Sequence, residues 1–283
     1  MKQILLLTDF SDNSWNALFM AVKLYAKWEC EFHILHTFEP DNWQIVNNGK
    51  DGMEIVAPEH QDLIDQMDGT KEYLLKNHQN PKHVFSTLLI AGGLVETVQR
   101  LVPKYDLDLV VLGTHGKTGS KTVFAGNSAL RVMRQVINCH LLLVPGSHNF
   151  QKLDKVSYPT EFSHFTPKYV LTPLLELLGQ WKSTMHIIHV ALEFHLTEEQ
   201  KTNKEILKKR FADLELLFDQ VSLSKSVTWD ILEKTNSLES DMIVITKYSH
   251  SVFETFLHEP ILKKLGSRTR VPIWISPDFQ PYA

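Results

Sequence analysis

A chain of 283 residues is longer than a typical single domain, which makes two domains of about 140 residues each the natural organisation. Hydrophobic residues at 43% and charged residues at 22% are ordinary for a globular protein able to bury a core, and the formal charge of −4 gives no whole-chain attraction to nucleic acid or anionic membrane. The densest basic stretch, Lys201 to Arg210, is interleaved with Glu198, Glu199 and Glu205, and Glu205 and Lys209 stand at i,i+4, so it reads as a solvated helix face. Cys30 and Cys139 lie far apart and in no CxxC arrangement, which argues against a disulfide framework or zinc ribbon and fits a reducing compartment. The apolar run Ile4 to Leu7 is too short for a signal peptide, and no run approaches membrane-spanning length, so a cytoplasmic protein is expected.

In chain order, residues 2–8 (KQILLLT) read as a buried strand ending at polar Asp9. Ser11 is a suitable N-cap for a helix that carries Trp15, Leu18, Phe19, Val22 and Tyr25 on one stripe. Glu31 to Phe38 is the next strand, followed by a polar stretch from Glu39 to about Pro58, long enough to be a lid, a binding loop or a disordered excursion. A helix near 59–78, a strand at 83–90, the Ala91-Gly92-Gly93 break and a helix to about Pro103 come next. Asp108 to Leu112 is a buried strand followed by a glycine-rich loop, and a helix from Ser128 to about Ile137 and a strand from His140 to Val144 close the unit at Pro145. Strands alternating with helices predict parallel pairing and right-handed crossovers, hence an α/β sheet covered on both faces.

The second half repeats the first. Thr8-Asp9-Phe10-Ser11 recurs as Thr160-Glu161-Phe162-Ser163, His33-Ile34-Leu35-His36 as His186-Ile187-Ile188-His189, Asp108 to Leu112 as Asp241 to Ile245, and Leu143-Val144-Pro145 as Ile275-Ser276-Pro277. Matches in the same order at strand ends and strand cores indicate duplication of a whole domain, with boundaries expected at 1–147 and 152–279. The interval from Val84 to Asp108 exceeds that from its apparent counterpart Val227 to Asp241, which predicts the loss of most of one helix from the second copy. Thr197 and Gln200 make a capping box ahead of a helix expected over 198–219, and Pro260 and Gly266 bracket a last one.

The loop after the fourth strand carries the chemistry. It reads Gly113-Thr-His-Gly116-Lys-Thr-Gly119 and runs to Gly126-Asn127-Ser128 at the head of a helix. Glycine lets backbone N–H groups approach an oxyanion closely, consecutive amides form a concave anion site, and a helix amino terminus favours phosphate. The spacing is neither a P-loop nor the GxGxxG of dinucleotide folds. A tight turn with Asn127 or Ser128 as an ordinary cap is the plain alternative. Geometry favours a site, because ligands of open α/β sheets sit beyond the strand carboxyl ends at the switch point, where Asp9 and Gly113 would face one crevice.

At these residues the chain resembles the universal stress protein family, whose signature is a glycine, two residues, a glycine, nine residues, then a glycine followed by Ser or Thr. Gly113, Gly116 and Gly126 match it at the right intervals, the Leu143-Val144-Pro145 strand end is also similar, and the likeness covers nearly the whole chain as a tandem pair. The resemblance implies five-stranded, doubly wound parallel sheets ordered 3-2-1-4-5, Rossmann-like in kind, with ATP, alone or with Mg²⁺, held across the switch point. By position, Asp9 would meet the ribose or adenine, Thr37 would line the adenine pocket, and Gly113, Gly116, Gly126, Asn127 and Ser128 would wrap the phosphates. It also implies stress-response regulation and pairing through last strands, either between the two domains or in a homodimer. Two positions depart from the family pattern: Asn127 stands where Ser or Thr is usual, and Leu7 where binders often carry Pro.

The second copy departs further. Thr246, Ser249 and His258 stand at the three glycine positions, Glu161 replaces Asp9 and Glu259 adds negative charge, so this copy is expected not to bind nucleotide and to serve as an internal partner. Catalysis has little support, since no nucleophile elbow and no carboxylate pair beside a metal-ligand cluster occurs. The pairs His33/His36 and His186/His189 place residues three apart on opposite faces of a strand, which suits structural roles better than one shared ion; His115, in the loop, is either a phosphate contact or an exposed turn residue, and the second is favoured. The expectation is an ATP-binding regulatory protein. Its rivals are an interaction protein of the same fold without nucleotide, and a metal-dependent nucleotide hydrolase.

Overall fold

Apolar runs that must be covered on both faces alternate with amphipathic segments along the chain, and this alternation builds the sheet. In the structure, a computed structural model describing residues 1–39, 60–114, 127–191, 195–247 and 269–277, the first half runs β1 (Lys2–Leu7), α1 (Asp12–Leu24), β2 (Cys30–Phe38), α2 (Gln61–Asn77), β3 (His83–Ala91), α3 (Leu94–Lys104), β4 (Leu109–Gly113), α4 (Asn127–Gln135) and β5 (His140–Val144). The second half runs β6 (Lys155–Pro159), α5 (Lys168–Trp181), β7 (Thr184–Ala191), α6 (Glu198–Arg210), β8 (Glu215–Ser222), α7 (Val227–Ser237), β9 (Met242–Thr246) and β10 (Ile273–Ser276).

Each half has the strand order 3-2-1-4-5 expected of it, with parallel neighbours throughout. The two sheets are continuous. β5 and β10 pair antiparallel, Leu142 opposite Trp274, and fuse them into one ten-stranded sheet ordered β3-β2-β1-β4-β5-β10-β9-β6-β7-β8.

The two-residue period of β1 sorts its side chains between two cores. Ile4 and Leu6 join a cluster on the α1 and α5 face, while Leu5 and Leu7 join a second cluster with α3 and α4. Both clusters cross the β5–β10 seam: Ile243, Ile245, Ile273 and Ile275 pack in the same cluster as Leu130 and Met133. On the opposite face, the indole N–H of Trp181 donates to the Leu24 carbonyl at the end of α1, at 3.0 Å.

The second half departs from expectation at two elements. The helix expected over 198–219 ends at Arg210, and 215–222 is β8. Val227 opens α7 and so corresponds to the chain near α3, not to Val84 on β3; no helix between the third and fourth strands has been lost. β8 escaped recognition because none of its residues is buried and it follows closely on α6: Leu217 and Phe218 are exposed at the sheet edge, and the ammonium of Lys204 lies 4.9 Å from the Phe218 ring centre. The shortening falls between β7 and β8, where 192–197 stands in place of 39–60. The Thr197–Gln200 capping box is present, and on the solvated face of α6 Glu205 pairs with Lys208 rather than Lys209. The expected 260–266 helix and the 39–58 stretch lie, save for Glu39, outside the described residues.

Candidate nucleotide site

β1 lies between β2 and β4, so the chain turns one way after β1 and the other way after β4, and this is the switch point of the first half. A helix that follows a parallel strand starts at the strand's carboxyl edge. The amino ends of α1 and α4 therefore rise at that edge, beside Asp9 after β1, Thr37 near the end of β2 and Gly113 at the end of β4. Thr37 is half-buried and lies in register with Ile90.

The turn from β1 into α1 is tightly determined. Phe10 adopts the left-handed conformation with φ 61°, a strained state for a bulky residue. Its N–H donates to the Thr8 hydroxyl at 3.0 Å, and its ring packs 4.6 Å from that of His36, whose Nδ1 lies 2.8 Å from the Thr8 carbonyl. The strained residue redirects the chain so that Ser11 caps α1, accepting from the Ser14 N–H at 3.3 Å. Asp9 is fixed by the same turn: its Oδ1 accepts from the Ser11 N–H at 3.1 Å and from the Ser11 hydroxyl at 2.5 Å.

Gly113 needs its missing side chain for a reason of packing. A Cβ there would stand 2.9 Å from Cγ and 3.1 Å from the backbone oxygen of Asn13, in the first turn of α1. Asn13 is itself buried, and its amide donates to the Val144 carbonyl at 2.9 Å, tying α1 to the end of β5. Asn13, Ser14 and Phe10 are thus the residues that shape this edge, and the sequence reading passed over all three. The repetition of the Thr-x-Phe-Ser segment hinted at Phe10 alone.

Of the predicted phosphate-binding residues, Gly116 and Gly126 lie outside the described residues, as does His115. Asn127 is the first residue of α4, and Ser128 is exposed in its first turn. The repeated histidines are held by the fold. His33 lies 2.7 Å from the Ser86 hydroxyl and 2.8 Å from the Gln3 amide oxygen; His186 meets Asp219 at 3.0 Å, and His189 meets the Thr160 carbonyl at 3.1 Å. Both thiols are buried, and burial pushes each up to about 12, which keeps them protonated and unreactive at neutral pH.

The second half reproduces the turn but not the site around it. Phe162 is left-handed with φ 59°, its N–H donates to the Thr160 hydroxyl at 3.0 Å, and its ring faces His189. Glu161 stands in place of Asp9, with the Ser163 hydroxyl 3.4 Å away, and burial holds its carboxyl above the usual range. α5 starts only at Lys168, behind Pro167 and without a side-chain cap, so about one turn of helix present in α1 is missing at this edge. Thr246 occupies the Gly113 position, buried, with its hydroxyl 3.0 Å from that of Tyr158. The cavity among Tyr158, Phe162, Phe165 and Arg210 measures about 10 Å³, room for about one water molecule.

A doubly wound parallel sheet, with the helices that follow β1 and β4 starting at its carboxyl edge, defines a Rossmann-like α/β protein. A family model described as the universal stress protein family matches residues 1–145, and the chain belongs to that family. The universal stress protein MJ0531 of Methanocaldococcus jannaschii is 24% identical over 153 residues, which span 50% of this chain and 81% of the relative. A universal stress protein from Archaeoglobus fulgidus has the same fold over 97% of this chain and 96% of its own, with a TM-score of 0.66 at 15% identity. A functionally unknown protein from Pseudomonas aeruginosa PAO1 aligns over 98% and 92% with a TM-score of 0.59 at 10% identity. The full-length alignments match the tandem layout of two like halves. Among the described residues no helix is long and apolar enough to cross a membrane, and no group of three or more His, Cys, Asp or Glu side chains is placed to hold a metal ion.

Proposed function

We propose that the protein is a stress-response regulator that binds ATP, alone or with Mg²⁺, in its first half only. The reading rests chiefly on one observation: α1 and α4, the helices that follow β1 and β4 on either side of the switch point, start at the same edge of the sheet, with Asp9 anchored there by Ser11 and with Gly113 opening the loop sequence Gly113-x2-Gly116-x9-Gly126. Helix amino termini carry unpaired N–H groups and positive potential suited to phosphate, and a carboxylate held at the strand end can accept hydrogen bonds from ribose hydroxyls. Asp9, Thr37, Gly113, Gly116, Gly126, Asn127 and Ser128 are the proposed contacts.

The second half keeps the architecture of the turn, yet it has lost a turn of helix and put Thr246 in the Gly113 position. We read it as a domain spanning 152–279 that pairs internally with domain 1–147 through β10 and β5 and binds no nucleotide. The proposed role is regulatory rather than catalytic, in the cytoplasm. In the test, protein is purified from cells and its adenine nucleotide measured by absorbance ratio and mass spectrometry, beside a Gly126→Asp variant. ATP carried by the parent and absent from the variant supports the reading. A nucleotide-free parent with no ATP affinity favours the interaction protein of the same fold, and Mg²⁺- or Mn²⁺-dependent product formation favours a hydrolase.

A further inference from the structure

The geometry points to Lys247 as a positioning residue by which the second half holds the phosphate-facing helix of the first, an inference that rests on the nucleotide reading above. Lys247 follows β9 and is structurally equivalent to Thr114: the Thr114 N–H donates to the Val144 carbonyl, and the Lys247 N–H donates to the Ser276 carbonyl. Where the first half has a small buried hydroxyl, the second has a lysine that is only 8% exposed. Its ammonium crosses the seam between the halves and donates to the carbonyls of Met133 and Val136, the latter at 2.9 Å.

These carbonyls lie at the carboxyl end of α4, where helical C=O groups lack partners within the helix and the dipole is negative. The Gln99 side chain completes the end by donating to the Gln135 carbonyl at 2.9 Å. Burying an ammonium is costly unless polar partners receive it, so this lysine and this helix end require each other. The opposite end of α4, at Asn127, is the one proposed to face phosphate. α4 also buries Leu130, Val132 and Met133 in the cluster shared with Ile243, Ile245 and Ile275 of the second half. A charge placed at one end of a short helix, with its side packed against the same partner, fixes where the other end points. The second half thereby completes the site without touching the ligand.

A merely structural lysine would affect all ligands alike, whereas a lysine that aims α4 affects the phosphates selectively. ATP and adenosine are titrated into the parent, Lys247→Met and Lys247→Arg. Lys247→Met is expected to weaken ATP by about three- to thirty-fold while leaving adenosine unchanged, and Lys247→Arg is expected to restore most of the ATP affinity. Should the Met variant fail to fold, Lys247→Gln, which keeps a donor but removes the charge, carries the same comparison. An ATP affinity equal to the parent's in a folded, uncharged variant, or equal losses for ATP and adenosine, would overturn the inference. A parent that binds neither ligand would overturn the nucleotide reading itself.

Discussion

The residues that decide this molecule are small and local. Gly113 stands against Asn13, and a methyl group there must push either the buried amide or the backbone of α1. Gly113→Ala is expected to lower stability by about 1–3 kcal/mol in urea denaturation, whether or not ligand is present. Unchanged stability would mean that the glycine is needed only for the ligand. Ser11 both caps α1 and holds Asp9, so Ser11→Ala should cost about 1 kcal/mol of stability and weaken nucleotide binding together. The histidines set the acid limit. Burial lowers His140 to about 3, well under its ordinary value of 6.5, beside Trp274 at the seam. Its folded form is neutral while the unfolded chain takes up a proton, so its contribution is whole above pH 6.5 and is lost as the pH falls towards 3. At pH 5 the loss from this one group is about 2 kcal/mol, readable as a shallower pH dependence of stability in His140→Phe.

At the scale of elements, the sequence was read correctly where a strand is buried on both faces or a helix is capped. KQILLL, CEFHILHTF and HLLLV declare themselves by apolar runs, and Thr197–Gln200 by its capping box. ELLFDQVS did not, because five of its eight residues are exposed, none is buried, and its pattern merges with the helix before it. The error moved an apparent deletion onto α7 and hid that each half keeps its helix between the third and fourth strands. The switch point was expected from the family resemblance that the glycine spacing carries, which implies the 3-2-1-4-5 order. The left-handed Phe10 and the reach of Lys247 were not, since both depend on partners distant in the chain or on strain that no residue type announces. β10 is the element whose damage should spread furthest: Trp274 is fully buried between β9 and β5, and Trp274→Ala is expected to cost about 3–5 kcal/mol by denaturant titration.

Across the whole molecule, the ten-stranded sheet and the two shared cores make the halves one cooperative body. Tryptophan fluorescence and far-ultraviolet circular dichroism should report a single coincident unfolding transition, and two separated transitions would contradict that unity. The same continuity explains why a copy without the glycines can be retained: it covers the exposed edge of β5 and clamps α4. The division of labour between the halves is tested most directly by calorimetric titration of the full chain with ATP. One binding site per chain, abolished by Gly126→Asp, is the predicted result; two sites per chain, none, or one that survives the substitution would contradict it.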